Sequence, residues 1–333
     1  MLYPLTFHPI FKERVWGGRE IERLYQKKLP VGVPVGESWE ISDRDEAQSV
    51  IANGPDKGKT LHQQIEAHGV QLLGTNCHHH AKRFPLLVKL LDARERLSLQ
   101  VHPPAGIAAK LHGEPKTEMW YVLEADQDAH LIAGLQRGIT GADFMRALEG
   151  VRDSKPLTDC VYSFPVLPGD VFFVPSGRVH AIDAGVVLVE IQQNSDTTYR
   201  VYDWGRVGLD GKPRQLHVKE SLVCINFQDF EPKKQRPTVE RRGVNGLWRL
   251  IECDQFHVHR LDLANAWTDR TDGSTFHIIA CIGGALGILT PDGREERLNP
   301  GEFALLPAAL GFYTLAPLSE NTRALKSYVP RAA

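Results

Sequence analysis

Short apolar runs, broken by glycine and proline, recur along most of this chain. The clearest of them are residues 84–91, 97–102, 119–123 and 185–193. Runs of this length bounded by turn residues are typical of strands that are buried in a sheet. Residues 37–42 alternate between polar and apolar positions, which predicts a half-buried strand.

Helical spacing is confined to a few short segments. Leu61 and Ile65 lie four residues apart behind Thr60, a residue suited to the N-cap of a helix. Residues 138–148 and 217–224 are the other predicted helices. Many short strands and few helices predict a mainly all-β fold, built as a barrel or jelly roll.

One segment stands out as a linker. Residues 231–237 contain two prolines, four charged side chains and no apolar residue, a composition that favours an extended connection. We therefore predict a catalytic barrel with small helical insertions over residues 1–230, a linker over 231–244 and a C-terminal β-barrel over 245–333.

Composition and charge narrow the class of protein. A net charge of −2 gives no general attraction to nucleic acid or to anionic membranes. The five cysteines are scattered and odd in number, which favours reduced thiols and a cytoplasmic setting. No signal peptide and no long apolar span is apparent. We expect a small-molecule substrate and no nucleic-acid or membrane partner.

The candidate chemistry lies near the middle of the chain. Gln100 and His102 are two residues apart and would leave one face of a strand. Glu118 opens the next apolar run, and His180 follows a turn-rich segment. One carboxylate, two imidazoles and one amide oxygen are a suitable ligand set for a divalent metal. Gln100 could instead only bond a neighbouring strand.

The segment around His180 resembles the second motif of the cupin barrel. Pro168, Asp170, Pro175 and Gly177 precede the histidine at the spacing of that motif. The first cupin motif usually has His-x-His and a nearby Glu, whereas this chain has Gln100-x-His102 and Glu118 sixteen positions later. The resemblance implies cupin-type jelly-roll barrels with a few short helices, two barrels in all.

A more specific resemblance covers residues 1–225. Separated segments match, in order, the type I mannose-6-phosphate isomerases of the short bacterial branch: residues 16–18, 36–42, 84–89, 97–103, 116–121 and 194–204. Residues 240–333 resemble, more loosely, the extra β-barrel of such enzymes. The resemblance implies interconversion of mannose 6-phosphate and fructose 6-phosphate, and we expect a monomer or a weak homodimer.

The family resemblance also implies roles for individual residues. One zinc ion per chain would be held by His102, Glu118 and His180, with Gln100 as the fourth ligand. Arg200 would be catalytic, Lys116 would lie in the pocket, and Ser98 would lie near the substrate phosphate. Zinc, manganese and cobalt all remain open as the native metal.

The chemistry of an aldose–ketose isomerase agrees with these roles. Its enediolate intermediate needs fixed positive charge, which a metal and the permanently charged Arg200 can supply. Lys116 could have a lowered pKa beside a cation and act as the base, and Glu190 is a rival for that role and a candidate for substrate binding. Lys116 could also lie on the surface, and Arg200 could pair with Asp203.

Two other functions fit the same residues. Two histidines and a carboxylate also describe an iron(II) cupin oxygenase, and a non-catalytic sugar-binding cupin would keep the fold. In the C-terminal third, His257-x-His259 resembles half of a cupin site. No glutamate follows at a suitable spacing, and no histidine follows the strand at residues 302–307. We therefore predict that the C-terminal barrel binds no metal.

Overall fold

The computed structural model describes residues 2–80, 82–152 and 154–331, except for the side chains of residues 78–80. Strands form most of its regular structure. In chain order they begin with β1 (Leu5–His8), β2 (Ile10–Gly18), β3 (Val35–Ile41), β4 (Asp43–Arg44), β5 (Ala47–Gln48), β6 (Val50–Ile51), β7 (Leu86–Ala93), β8 (Leu99–Val101), β9 (Glu118–Ala125), β10 (His130–Leu135), β11 (Val161–Pro165), β12 (Val171–Val174) and β13 (His180–Ile182).

The remaining strands are β14 (Val186–Gln193), β15 (Tyr199–Tyr202), β16 (Thr238–Arg242), β17 (Asn245–Glu252), β18 (His257–Leu263), β19 (Trp267–Arg270), β20 (His277–Gly283), β21 (Leu286–Leu289), β22 (Glu295–Leu298), β23 (Phe303–Leu306), β24 (Phe312–Pro317) and β25 (Thr322–Tyr328). The prediction of a mainly β fold with few short helices is confirmed.

The helices are short. They are α1 (Glu20–Tyr25), α2 (Leu61–His68), α3 (Val70–Leu73), α4 (Ala105–Ala108), α5 (Gly141–Leu148) and α6 (Val218–Cys224), with 3₁₀ turns at Thr75–His80, Ala109–Leu111 and Leu157–Asp159. The three helices predicted from spacing are α2, α5 and α6. Thr60 caps α2 through a reciprocal pair of bonds with Gln63, as its position predicted. No helix in the described ranges is long and apolar enough to cross a membrane.

The alternation over residues 37–42 does not mark a solvent-facing side. Every residue of β3 is buried, so the prediction of a half-buried strand is wrong. Polar residues are retained inside because they have hydrogen-bond partners. Glu37, for example, accepts a hydrogen bond from Arg14 Nε at 2.9 Å.

The chain forms two compact units that do not follow the predicted domain boundaries. One unit comprises residues 1–10, 39–89 and 235–333, and the other comprises residues 11–38 and 90–234. The predicted domain 1–230 is thus divided, because β1 pairs with β23 rather than with its sequence neighbours alone. The predicted linker 231–244 contains β16, which pairs along its whole length with β17.

The unit that contains residues 90–234 has two antiparallel sheets. A five-stranded sheet has the order β11-β10-β13-β8-β15, and a six-stranded sheet has the order β12-β9-β14-β7-β2-β3. Apolar side chains of both sheets, such as Ile182 and Trp120, share one core cluster. A second cluster on the opposite face of the five-stranded sheet includes Val101 and residues of α5 and α6.

The unit that contains residues 235–333 repeats this architecture. Its eight-stranded sheet has the order β16-β17-β18-β25-β20-β23-β1-β6, and its four-stranded sheet has the order β19-β24-β21-β22. Leu261 and Ala324 of the larger sheet share a core cluster with Leu286 and Tyr313 of the smaller one. Each unit therefore buries its own core between two sheets, as a jelly roll does.

Gly17 and Gly36 lie in two of the segments that match the isomerase family, residues 16–18 and 36–42, and the structure shows why glycine is needed there. A Cβ atom on Gly17 would lie 2.3 Å from the backbone nitrogen of Gly36, so β2 and β3 approach too closely for any side chain. Gly17→Ala is therefore expected to lower the free energy of unfolding by about 1–3 kcal/mol. Gly106→Ala is the control, because nothing lies within 4 Å of that position. Equal urea midpoints for the two variants would contradict the expectation.

Candidate metal centre and active site

Three neighbouring strands of the five-stranded sheet bring polar residues into register. On β8, Gln100 lies directly opposite His180 of β13 and Arg200 of β15. Directly opposed residues of antiparallel strands share one face. The alternate positions, including Val101 and Val201, belong to the cluster with α5 and α6. Gln100, His180 and Arg200 consequently face the interior between the two sheets.

The residue that follows β8, the first residue of β13 and the first residue of β9 in the opposite sheet form one buried cluster. His102, Glu118 and His180 are buried, and one ligating atom from each lies within 4.8 Å of the others. His102 Nε2 is 3.3 Å from Glu118 Oε2, and His180 Nε2 is 3.4 Å from Glu118 Oε1. The structure thus brings together the three residues that the sequence predicted as metal ligands.

The outward ring nitrogens of both histidines are already engaged. His102 Nδ1 lies 3.0 Å from the carbonyl oxygen of Thr197, and His180 Nδ1 lies 2.9 Å from that of Arg178. A carbonyl only accepts, so each Nδ1 carries the hydrogen and each Nε2 offers a lone pair. Neither Nε2 atom has a hydrogen-bond partner, and neither does Glu118 Oε1, whereas Glu118 Oε2 pairs with the ammonium of Lys116 at 2.9 Å. Buried acceptors that lack donors and face one another are an arrangement that fits a divalent cation.

The protonation states agree with this fit. Burial lowers the pKa of His102 to about 4, with a further contribution from Lys116, and burial also lowers the pKa of His180. Burial alone would raise the pKa of Glu118, but Lys116 and the two histidines hold it well below its usual value. Neutral imidazoles and an ionised carboxylate are the forms that bind metal.

Lys116 lies in the pocket rather than on the surface. Its Nζ is 2.9 Å from Glu118 Oε2 and 3.9 Å from Glu190 Oε1, and the residue is buried. Burial tends to lower the pKa of Lys116, but the carboxylates of Glu118 and Glu190 outweigh it and raise the pKa. The pKa is raised because two anions neighbour the ammonium. A lowered pKa beside a bound cation stays a prediction.

Glu190 and Ser98 are both buried, but they lie at different distances along the chain from the predicted metal ligands. Glu190, on β14, is buried and its Oε2 accepts a hydrogen bond from Trp120 Nε1 at 3.0 Å. Ser98 is buried immediately before β8, two positions from Gln100. Glu190 thus lies beside the lysine, whereas Ser98 lies at the far end of β8 from His102.

Arg200 does not serve as the structural partner of Asp203. That carboxylate is held by Arg206 at 2.9 Å and by Arg214, whose Nε donates at 2.7 Å. Arg200 donates from Nη1 to the backbone oxygen of Gln215 at 2.8 Å, and its buried Nε has no hydrogen-bond partner. The guanidinium therefore keeps donors for a further ligand.

Sequence reasoning missed one buried polar residue beside the cluster. Gln192 lies directly opposite Glu118 on β14 and is fully buried. Its Nε2 donates to the backbone oxygen of Ser195 at 2.6 Å, while its Oε1 has no partner. Its signal was a glutamine near the end of the mainly apolar run 185–193.

Comparison with known proteins places this geometry in a family. The model of the phosphomannose isomerase type I catalytic domain matches residues 5–137. Mannose-6-phosphate isomerase ManA of Bacillus subtilis (strain 168) is 36% identical over 95% of this chain and 97% of its own length. The mannose-6-phosphate isomerase of Streptococcus mutans is 38% identical over 92% of this chain and 93% of its own length.

Solved structures agree. The crystal structure of the mannose 6-phosphate isomerase from Bacillus subtilis superposes with a TM-score of 0.88 at 29% identity, covering 98% of this chain and 99% of that chain. A putative mannosephosphate isomerase from Archaeoglobus fulgidus shares the fold, with a TM-score of 0.76 at 20% identity over 98% of each chain. This chain, with its cupin fold, therefore belongs to the type I phosphomannose isomerase family.

Proposed function

We propose that this protein interconverts mannose 6-phosphate and fructose 6-phosphate, with one zinc ion at the candidate centre in the unit of residues 90–234. The observation that carries the proposal is the convergence of His102, Glu118 and His180, whose two Nε2 atoms and Glu118 Oε1 have no hydrogen-bond partner. Gln100 is the proposed fourth ligand, because it lies in register beside His180 on the same face. The activity printed for the similar enzymes supports the choice of substrate.

The zinc ion would supply Lewis-acid stabilisation of negative charge on the sugar oxygens. The residues around the zinc ion would stabilise the enediolate and transfer the proton. Arg200 offers a fixed cation with an unpartnered Nε to an anionic oxygen of the enediolate. Lys116 and Glu190 lie within 3.9 Å of each other, so this pair can carry the proton that moves between C1 and C2.

Substrate positioning completes the proposal. Ser98 is the proposed neighbour of the substrate phosphate, to which its hydroxyl could donate. Glu190 is buried and held by the indole of Trp120, so its carboxylate has a fixed orientation. Arg200 and Lys116 are the proposed catalytic residues, and Ser98 and Glu190 the proposed substrate-binding residues.

The cellular setting and assembly are part of the same proposal. All five cysteines are free thiols and four of them are buried, which agrees with a reducing, cytoplasmic compartment. A monomer or weak homodimer that acts on a small sugar phosphate, without nucleic acid or membrane, stays our prediction. Light scattering at two protein concentrations measures the oligomeric state.

The purified protein is expected to convert fructose 6-phosphate to mannose 6-phosphate under argon. An isomerisation needs no oxidant, whereas an iron(II) oxygenase stops without oxygen. In D₂O the recovered substrate and product are expected to gain deuterium over many turnovers, because an enediolate exchanges its carbon-bound proton with solvent through the base. Mass spectrometry and proton NMR measure both. Metal analysis of the same sample reports the ion.

The possible outcomes separate the competing functions. Turnover that requires oxygen would favour the oxygenase. Full metal occupancy without turnover on several hexose phosphates would favour a non-catalytic sugar-binding cupin. Conversion in D₂O that transfers the substrate hydrogen from C1 to C2 without any gain of deuterium at either carbon would count against a solvent-exchanging enediolate and would indicate a hydride shift.

A further inference from the structure

We infer that the hairpin β17–β18 carries a second divalent-metal site, formed by Glu252, His257 and His259. One ligating atom from each of the three residues lies within 4.8 Å of the others. All three belong to the unit of residues 235–333, and none belongs to the candidate centre described above. The inference is independent of the proposed isomerase activity.

The backbone register builds this cluster. Glu252 ends β17 and lies directly opposite His257, the first residue of β18. His259 follows two residues later and therefore leaves the same face of β18 as His257. That face is the inner one, because Leu261 and Leu263, the next residues in the alternation, belong to the core cluster. The site thus lies at one end of the interior between two sheets.

A β-bulge brings the carboxylate into place. The pairing of β17 with β18 shifts between Arg249, opposite His259, and Ile251, opposite Val258. Without the extra residue, Arg249 and Glu252 would leave opposite faces of the strand, since they are three positions apart. With it, both reach the face that carries the histidines. Bulges often re-aim side chains beside functional sites.

The buried histidine lacks a full set of hydrogen bonds. His259 is 5% exposed, and its Nε2 lies 3.2 Å from Glu252 Oε1. Its buried Nδ1 has no partner, an arrangement that costs free energy in a finished core. His257 is held by Tyr328, whose hydroxyl oxygen lies 3.4 Å from His257 Nδ1. Within the cluster Glu252 is exposed, His257 is half-buried and His259 is buried.

The neighbouring charges leave room for a cation. Lys326, which extends from β25 on the same side, is neutralised by Asp269, with Nζ and Oδ2 2.6 Å apart. Arg249 pairs with Glu252 at 3.0 Å, but both side chains are about half exposed, at 48% and 40%. An exposed pair of this kind is worth only about 0–1 kcal/mol. A divalent cation can therefore displace Arg249 from the carboxylate.

This inference departs from the sequence-based prediction that the C-terminal barrel binds no metal. That prediction considered only a glutamate downstream of His257 and His259. The structure places Glu252 upstream, on the partner strand of the hairpin. Two imidazole nitrogens and one carboxylate oxygen favour zinc or cobalt over magnesium and calcium, which prefer oxygen ligands.

The test is a metal titration of the full-length protein after chelation and dialysis. Two equivalents of Co²⁺ are expected to bind, each adding visible absorption bands, with mass spectrometry of the dialysed protein giving the stoichiometry. Glu252→Gln and His257→Ala are expected to bind one equivalent, with the affinity of the second site at least about 100-fold weaker. His180→Ala is expected to lose the other equivalent and to keep the one in the hairpin.

Two further variants test whether the loss of any nearby negative charge weakens metal binding and whether Arg249 competes with the metal for Glu252. Glu240→Gln removes a nearby exposed carboxylate that pairs with Arg242 and Arg249, and it is expected to keep two equivalents. Arg249→Gln is expected to bind the second equivalent more tightly, because the competitor for Glu252 is gone. A single equivalent in the parent protein that is lost in His180→Ala would overturn the site. So would a second equivalent that survives in both Glu252→Gln and His257→Ala with circular dichroism unchanged.

Discussion

His180→Ala is expected to lose one equivalent of bound metal and at least about 10²-fold in isomerase turnover together. The side chain is fully buried, and its Nε2 faces Glu118 Oε1 at 3.4 Å while Nδ1 is fixed by the carbonyl of Arg178. Alanine removes a ligand that no neighbouring side chain replaces. A centre that holds its ion through two imidazoles, one carboxylate and one amide oxygen cannot readily spare an imidazole.

Loss of activity must be separated from loss of fold. The cavity left by alanine lowers stability as well, so circular dichroism and the unfolding midpoint are measured on the same sample. His130→Ala is the matched control, because His130 begins β10 in the same sheet and its Nδ1 bonds only the backbone oxygen of Asp128. Normal turnover of His180→Ala with the metal content of the parent would remove His180 from the site.

Arg200→Lys is expected to fold and to bind metal as the parent does, but to turn over about 10²–10³-fold more slowly. Lysine keeps the positive charge and loses the planar fork that can meet two oxygens at once. In the structure Nη1 donates to Gln215, while Nε is unpartnered and lies among interior-facing residues. The guanidinium is therefore anchored at one nitrogen and available at another.

Steady-state kinetics distinguish the two roles that Arg200 could have. A lower kcat with similar KM indicates contact with the transition state, whereas a higher KM with unchanged kcat indicates binding of the substrate phosphate. Arg206→Lys is the control, since Arg206 holds Asp203 and is not proposed to touch substrate. A turnover of Arg200→Lys within about threefold of the parent would remove it from the catalytic residues.

Most strands and helices could be predicted from the sequence, because hydrophobic periodicity and capping residues act over only a few positions. Apolar runs bounded by turn residues correspond to β7, β9 and β14, and Thr60 marks the start of α2 as its capping bonds require. Burial on both faces of β3 was not predictable, because a polar residue inside a unit and one in solvent look alike in the sequence. The partner that decides between them, such as Arg14 for Glu37, lies on another strand.

The residues of the candidate centre could be predicted from the sequence, but their protonation states and hydrogen-bond partners could be predicted only in part. The sequence predicts a divalent-metal site from the spacing of Gln100 and His102 and from the motifs that contain Glu118 and His180. The raised pKa of Lys116 depends on two carboxylates, one of which is 74 positions away along the chain. The occupation of Asp203 by Arg206 and Arg214 likewise depends on distances in space.

By itself, the sequence determined the mainly β class, the positions of most strands and the identity of the metal-ligand candidates, because periodicity and motif spacing act within a few residues. Only the tertiary structure decided which segments share a unit, since β1 joins β23 across about 300 residues. The tertiary structure also decided that Glu252 lies beside His257 and His259. A bulge in the pairing of β17 with β18 turns the carboxylate towards the two histidines, and no local sequence pattern predicts that bulge.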